Sequence, residues 1–361
     1  LLVLPPNTRC SSFCTFFARF SQVLFLAIAS NSACKARLFK TSYACVYIYS
    51  VRCILCISVL FFFTALQGQN WHESADSLNP KRVIAIGIAE GGLYAVSLTG
   101  LQFAWYSDYQ TGGFHFFNDW DGWYQMDKVG HATTAYQAGA NLYLINRWAG
   151  IDKRKSIWWA AGLSYSYQLA VEVMDGFSSG WGFSNYDLLF NTVGTGLFVS
   201  QQLGWDEQRI RLKYSFWPSG LTSAGGAEGR RARNVFGEGL YEQWLKDYNG
   251  QTYWLSCNIW SLTGKSDRVP KWLNVAVGYS ANNLLGSESN TWTDPDDPLA
   301  TITSNRIRER QLLLSLDIDL QHTKLPKGLI WLKPIFGVVK FPFPALEWNS
   351  NGGLNGHLLY F

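Results

Sequence analysis

Past residue 56 the sequence has one cysteine, Cys257, because Cys10, Cys14, Cys34, Cys45, Cys53 and Cys56 all precede it. The long remainder therefore has no internal disulfide, even in an oxidising compartment. Charge is scarce, at 16% of 361 residues, yet aromatics at 16% are too frequent for a disordered chain. Glycine lacks a triplet period, which excludes collagen. Gly91-Gly92 and Gly225-Gly226 are not followed by Lys-Ser/Thr, so there is no P-loop. His-Glu-x-x-His does not occur. Of five histidines, His72, His322 and His357 have no evident partner nearby. Cys257 falls in a strand pattern and reads as a small core hydrophobe rather than a nucleophile.

The formal charge of +4 does not indicate nucleic acid, because it is unevenly placed. Residues 1–68 contain Arg9, Arg19, Lys35, Arg37, Lys40 and Arg52 and no acid. Removing these six from 30 leaves 24 Lys+Arg against 26 Asp+Glu, a balance of −2. Such a body has no basic footprint for a phosphate backbone.

No methionine precedes Met126, and residues 1–50 mix apolar runs with scattered basic groups, reading as translated upstream sequence. From Val51 the pattern becomes that of a secretory signal peptide, spanning residues 51–68. Val51-Arg52 forms a short n-region, Cys53–Ala65 an apolar h-region, and Leu66-Gln67-Gly68 the cleavage neighbourhood. The h-region falls short of the ~20 apolar residues that a membrane span needs. No Cys follows it, so a lipid-anchored N-terminus is not expected, and the mature chain should begin near Gln69. Residues 69–82, with Asn79-Pro80, read as a linker.

In the body, Val83–Trp105 is apolar and long enough as a helix to cross a bilayer. Gly130–Trp148, Ser156–Met174 and Tyr186–Leu203 also read as helices, but carry polar groups such as Gln137, Asn141, Gln168 and Asn191. A bundle inside the membrane and a compact one outside it with polar seams are both compatible. After Gly204 the period becomes two, in Arg209–Phe216, Thr252–Trp260, Trp272–Tyr279 and Arg310–Leu320. These are strands of a length that suits a soluble sheet or a membrane barrel. Pro218–Arg233 and Asn282–Asn305 read as plain linkers, and Leu329–Val339 as helix or strand. The terminal Tyr360-Phe361 is familiar from outer-membrane barrels, although His357 interrupts the alternation before it. The expected fold is α+β: about four helices in a bundle over 83–205, followed by an antiparallel β region over 206–361.

The chemistry concentrates in Phe114–Gly196. Asp127 and His131 are four apart, Glu172 and Asp175 three apart, and Asp187 and Asn191 four apart. Each pair shares one face of its helix, so three helices can converge on one site. On one reading these six residues, with Ser184 capping the helix that starts near Asp187, form a structural hydrogen-bond network. On the other, they form a functional site in which His131, Glu172, Asp175 and Asp187 either hold a divalent metal or serve as acid and base. Lys128 is about 100° around the helix from Asp127 and is not needed as their counter-charge. The aromatics Trp105-Tyr106, Phe114–Phe117 and Trp120–Tyr124 suit a membrane interface or a core corner equally.

Several of these stretches resemble a known family. Asp-Lys-x-x-His at 127–131, the Glu172/Asp175 pair, Gly-Trp-x-x-Ser at 180–184 and the following Asp187 look like the YfiM-like bacterial envelope proteins, a domain of unknown function described as periplasmic lipoproteins. Phe114–Asp119, Lys246–Trp254, Ser315–Asp319 and Pro342–Glu347 look like its longer, Bacteroidetes-type members. The Asp-Lys-x-x-His…Glu…Asp-x-x-x-Asn skeleton is more loosely similar to the VanZ-like membrane proteins, which are helical. The resemblance implies an exported envelope protein and no particular reaction. The resulting expectation is an outer-membrane or periplasmic protein with a structural or lipid/glycan-binding role and no nucleic-acid partner. The alternatives are an envelope hydrolase or transferase that uses the polar cluster, and a VanZ-type inner-membrane protein.

Overall fold

A computed structural model describes residues 74–102, 106, 111–294, 297–326, 329 and 332–361. The upstream segment 1–50, the signal peptide 51–68 and the start of the linker lie outside the described residues. Among the described residues four helices come first and a six-stranded antiparallel sheet follows, which is the expected α+β order.

Helix α1 (Pro80–Leu101) starts inside the expected linker. The Asn79 side chain accepts a hydrogen bond from Arg82 N, and Pro80 occupies a first-turn position where a missing N–H costs nothing. By length and composition α1 is long and apolar enough to cross a membrane. Ile86 is its buried residue, while Ile84, Ile88 and Leu93 are exposed. The Arg82 guanidinium lies over the Trp148 ring and donates to Trp148 O at 2.8 Å.

Helices α2 (Met126–Trp148), α3 (Lys153–Gly176) and α4 (Asn185–Gly204) pack together. Asp152 caps α3 and Ser184 caps α4, each accepting from a backbone N–H three residues on. Tyr136, Ala140, Tyr143, Ile157, Ala160, Ala161 and Phe198 form their shared core. Small residues let α2 and α4 approach closely. A Cβ added at Gly194 would lie 2.0 Å from the Ala132 carbonyl oxygen.

Strand β1 (Ile210–Phe216) leads to α5 (Gly226–Phe236), α6 (Leu240–Lys246), β2 (Gln251–Asn258), α7 (Ile259–Leu262) and β3 (Leu273–Asn282). A hairpin of β4 (Thr291–Asp294) and β5 (Asp297–Thr303) precedes β6 (Glu309–Ile318), α8 (Leu332–Val338), β7 (Phe343–Asn349) and β8 (Leu354–Tyr360). The main sheet runs β1-β2-β3-β6-β7-β8. Both expected linkers are therefore structured, one holding most of α5 and the other the β4–β5 hairpin. Leu221, Ala232, Phe236, Leu285 and Trp292 bury together. This burial of widely separated apolar residues overrides the Gly- and Asp-Pro-rich local composition. The described part of Leu329–Val339 is mainly helical, as α8.

The strands alternate as expected, but their sense is that of a sheet turned inside out. In β6 the buried positions are Gln311, Leu313, Ser315 and Asp317, and the exposed ones Leu312, Leu314 and Leu316. In β1 the buried residues are Arg211, Lys213 and Ser215. Lys213 and Asp317, both fully buried, pair at 2.6 Å, and Ser256, Asn274 and Asn258 extend the network. The sheet curls around this polar interior. Tyr360 of β8 meets Trp254 of β2 with ring centroids 6.0 Å apart, Trp217 meets Phe361 at 4.7 Å, and Val339 bridges to Tyr214 of β1. His357, expected to lack a partner, lies 2.8 Å from Glu347 Oε2, because antiparallel pairing sets Ala345 opposite His357.

The outer face is apolar. Near α2 it is covered: Leu212 joins the helical core, and Tyr253, Ala281 and Tyr279 pack with Met126 and Tyr124. Elsewhere it is bare, with Val277, Leu312, Leu314, Leu316, Leu346, Trp348, Leu354 (73% exposed) and Leu358 (90%) facing outward. Each such side chain left in water forgoes about 1.5–3 kcal/mol of burial.

Candidate functional site

Three consecutive residues before α2 adopt left-handed backbone: Trp123 (φ 49), Tyr124 (φ 52) and Gln125 (φ 60). None is glycine, so each costs about 1–2 kcal/mol. The sheet side pins this turn. Trp123 N donates to Ser287 O at 2.8 Å, Tyr279 Oη donates to Tyr124 O at 2.5 Å, and the Arg310 guanidinium lies 4.3 Å from the Tyr124 ring centroid. Helix α2 therefore starts from a fixed point, and its first turns carry Asp127, Lys128 and His131.

Lys128 Nζ is at the centre of the site. It contacts Asp119, and lies 3.0 Å from Asp127 Oδ2 and 2.8 Å from Asp187 Oδ1. The expectation that Lys128 is not needed as counter-charge is thus corrected. The 100° offset places its backbone off the shared face, but the long flexible stem carries the ammonium back to it. Ser184 Oγ donates to Asp119 Oδ1 at 2.6 Å while accepting from Asp187 N, so the cap of α4 is part of the same network.

His131 stands beside the lysine. Its Nε2 is 3.8 Å from Asp127 Oδ1 and 3.9 Å from Asp187 Oδ1. Its Nδ1 is 3.2 Å from Asn191 Oδ1 and 3.5 Å from Glu172 Oε1. Gln168 Nε2 donates to Asn191 Oδ1 at 3.0 Å, and Tyr248 Oη donates to Asp127 Oδ1 at 2.9 Å. Asp175 is engaged separately, by the Tyr106 hydroxyl at 2.6 Å and the Trp181 indole N–H.

The five expected residues Asp127, His131, Glu172, Asp187 and Asn191 therefore converge, and Asp175 keeps its own partners. Asp127, rather than Asp175 or Glu172, groups with His131 and Asp187 at metal-ligand spacing. Asp119, Lys128, Gln168 and Tyr248 complete the site, and sequence reasoning had not placed them there. Lys128 lies within the Asp-Lys-x-x-His motif and Asp119 just before it, whereas Tyr248 is 121 residues from Asp127 and no spacing links the two.

Burial and charge set the proton positions. Burial would raise Asp127, but the Lys128 ammonium and the Tyr248 hydrogen bond outweigh it and hold its carboxyl below the ordinary value. Burial would lower Lys128, but Asp127 and Asp187 keep it charged. His131 is pushed down by burial against the pull of Asp127, and is neutral near pH 7. Burial, then Asp175 and Asp127, push Glu172 up to about 9. Burial and Asp127 push Asp187 up as well. The result is one fixed cation, one ionised carboxylate, proton-holding carboxyls and a neutral imidazole. Such a set can exchange protons or receive a further cation.

Residues 116–201 match a family described as "predicted periplasmic lipoprotein (DUF2279)". The matched span runs from the loop bearing Asp119 into α4, and contains every member of the cluster except Tyr248. No curated protein and no solved structure matches the chain. The family description supports an exported, cell-envelope location.

Proposed function

We propose that this exported envelope protein associates with the outer membrane, where the bare outer face of its sheet lies against lipid. The observation that carries this reading is the inverted sheet: ion pairs inside, and leucines of β6, β7 and β8 outside. Solvated sheets put their apolar face toward the core, whereas sheets in lipid put it outward. β6 has ten residues, the length of a membrane-barrel strand, and Leu314 pairs with Leu346 to continue the apolar surface across strands. The role is structural or lipid- or glycan-binding. Density-gradient separation of the two membranes tests it: recovery with the outer membrane is expected, and recovery solely with the inner membrane defeats it in favour of a VanZ-type placement of α1. A second reading, an envelope hydrolase or transferase, is favoured by the neutral His131 set among carboxyl groups. A screen of ester and phosphate-ester substrates tests that reading. Turnover that is unchanged in His131→Ala, or no turnover at all, removes its support.

A further inference from the structure

We infer that Asp127, His131 and Asp187 form a binding site for a divalent transition-metal ion. Both neighbours of His131 Nδ1 are acceptors: Asn191 Oδ1, whose orientation is fixed by the Gln168 amide, and Glu172 Oε1. Nδ1 therefore carries the proton, and Nε2 presents a lone pair. That lone pair faces Asp127 Oδ1 at 3.8 Å and Asp187 Oδ1 at 3.9 Å, the first also accepting from Tyr248 Oη and the second lying 2.8 Å from the Lys128 ammonium. All three atoms lie within 4.8 Å of one another. A tetrahedral ion with ligands at ~2.1 Å sets them about 3.4 Å apart, so each imidazole–carboxylate distance closes by about half an ångström.

A second observation points to the ion independently. Glu172 is fully buried, and its Oε1 makes no hydrogen bond although it is aimed at His131 Nδ1. A carboxyl oxygen behind the distal nitrogen of a histidine is a common outer support of a metal ligand, because accepting from that N–H fixes the tautomer and orientation of the ring. Tyr248 supports Asp127 in the same manner. Carboxyl groups also outnumber cations here: Asp119, Asp127 and Asp187 share the one Lys128 ammonium. One imidazole and two carboxylates suit zinc, cobalt or manganese, with a further coordination position left for water. The ion site does not depend on whether the sheet meets lipid.

The test uses the full chain, purified in detergent, stripped with chelator and titrated with Zn²⁺ and with Co²⁺ by calorimetry. One ion per chain is expected, with at least a 100-fold loss of affinity in His131→Ala and roughly a 10–100-fold loss in Glu172→Gln. His357→Ala, which removes the other histidine–carboxylate pair, should leave affinity unchanged. In the Co²⁺-loaded wild type, paramagnetic shifts should fall on the His131 ring and not on His115 or His357. That measurement decides the matter if His131→Ala fails to fold. Folded protein that binds neither ion, equal binding by His131→Ala, or shifts confined to another histidine would overturn the site.

Discussion

In the sheet, buried Lys213 faces Asp317 at 2.6 Å and Arg211 faces Asp319 at 3.3 Å, and buried Lys340 adds a further cation to the same interior. Among the helices, Lys128 faces Asp119, Asp127 and Asp187 together, with Glu172 and Asp175 close behind. Both regions hide polar groups and show apolar ones, yet their charge balances differ. Each sheet carboxylate has a cation of its own, which offsets part of the desolvation although burial still holds Lys213 below the ordinary lysine value. An excess of carboxyls must either hold protons or take up a cation, and either state can change with conditions. The sheet interior is therefore a scaffold, while the helical cluster has the composition of a working site.

The sharpest way to break this contrast is to remove each lysine. Lys128→Met and Lys213→Met should each cost about 3–5 kcal/mol, because each strands a buried carboxylate. Compensation should then separate the regions. Lys213→Met with Asp317→Leu should recover most of the loss, since the pair leaves together. Lys128→Met with Asp119→Asn should not, since Asp127 and Asp187 remain. Urea unfolding of the four variants measures this, and equal rescue in both regions would erase the distinction.

The outer surfaces give the next largest effect. Lys at Leu314 or Leu346 should cost about 2–4 kcal/mol if the residue sits deep in lipid. Leu314→Lys with Leu346→Lys should therefore shift the protein out of the membrane fraction while leaving its helical circular dichroism in detergent intact. Unchanged membrane recovery would mean that this face meets something other than lipid.

A smaller effect is expected at the contact that holds the helical site together. Gly194→Ala drives a Cβ against the Ala132 carbonyl, and overpacking of this kind costs ~1–3 kcal/mol. Because α2 and α4 carry the proposed ligands, ion affinity should fall along with stability. Thermal melts and Zn²⁺ titration of one sample check both, and a stable variant with normal binding would show that the helices can separate without consequence.

The same contrast explains which features the sequence displays. Three helices and their inward pairs are legible because spacings of three and four residues map onto one face regardless of context. Lys128 escapes that logic, since a side chain with four methylenes is not confined to the face of its own Cα. Period two announces strands in β1, β2, β3 and β6, but periodicity is symmetric, so it cannot say which face is buried. β7 is masked by Pro344, a residue usually read as demoting a strand. The β4–β5 hairpin is masked by Asp294-Pro295-Asp296-Asp297-Pro298, which composition assigns to a linker. Tyr248 joins the site through tertiary packing alone.

The finest probe of the contrast is the pH dependence contributed by one unmatched acid. Asp175 is buried enough that its carboxyl is pushed from 3.8 up to about 7, even though the Tyr106 hydroxyl and the Trp181 indole favour its charged form. A folded-state value above the unfolded one means that the native protein binds the extra proton between those limits. Stability from this group is thus complete below pH ~4 and is lost as pH rises toward 7. One proton limits the slope to about 1.4 kcal/mol per pH unit. Asp175→Asn keeps the shape and the acceptor for Tyr106 but cannot ionise. Relative to it, the wild type should lose stability from pH 4 to 7, and the two should run parallel above pH 8. Paired urea titrations across that range, in chelator so that no ion competes, read the difference directly. Parallel curves throughout would mean that Asp175 is ionised at its ordinary pH, and that its two donors neutralise it as completely as Lys213 neutralises Asp317.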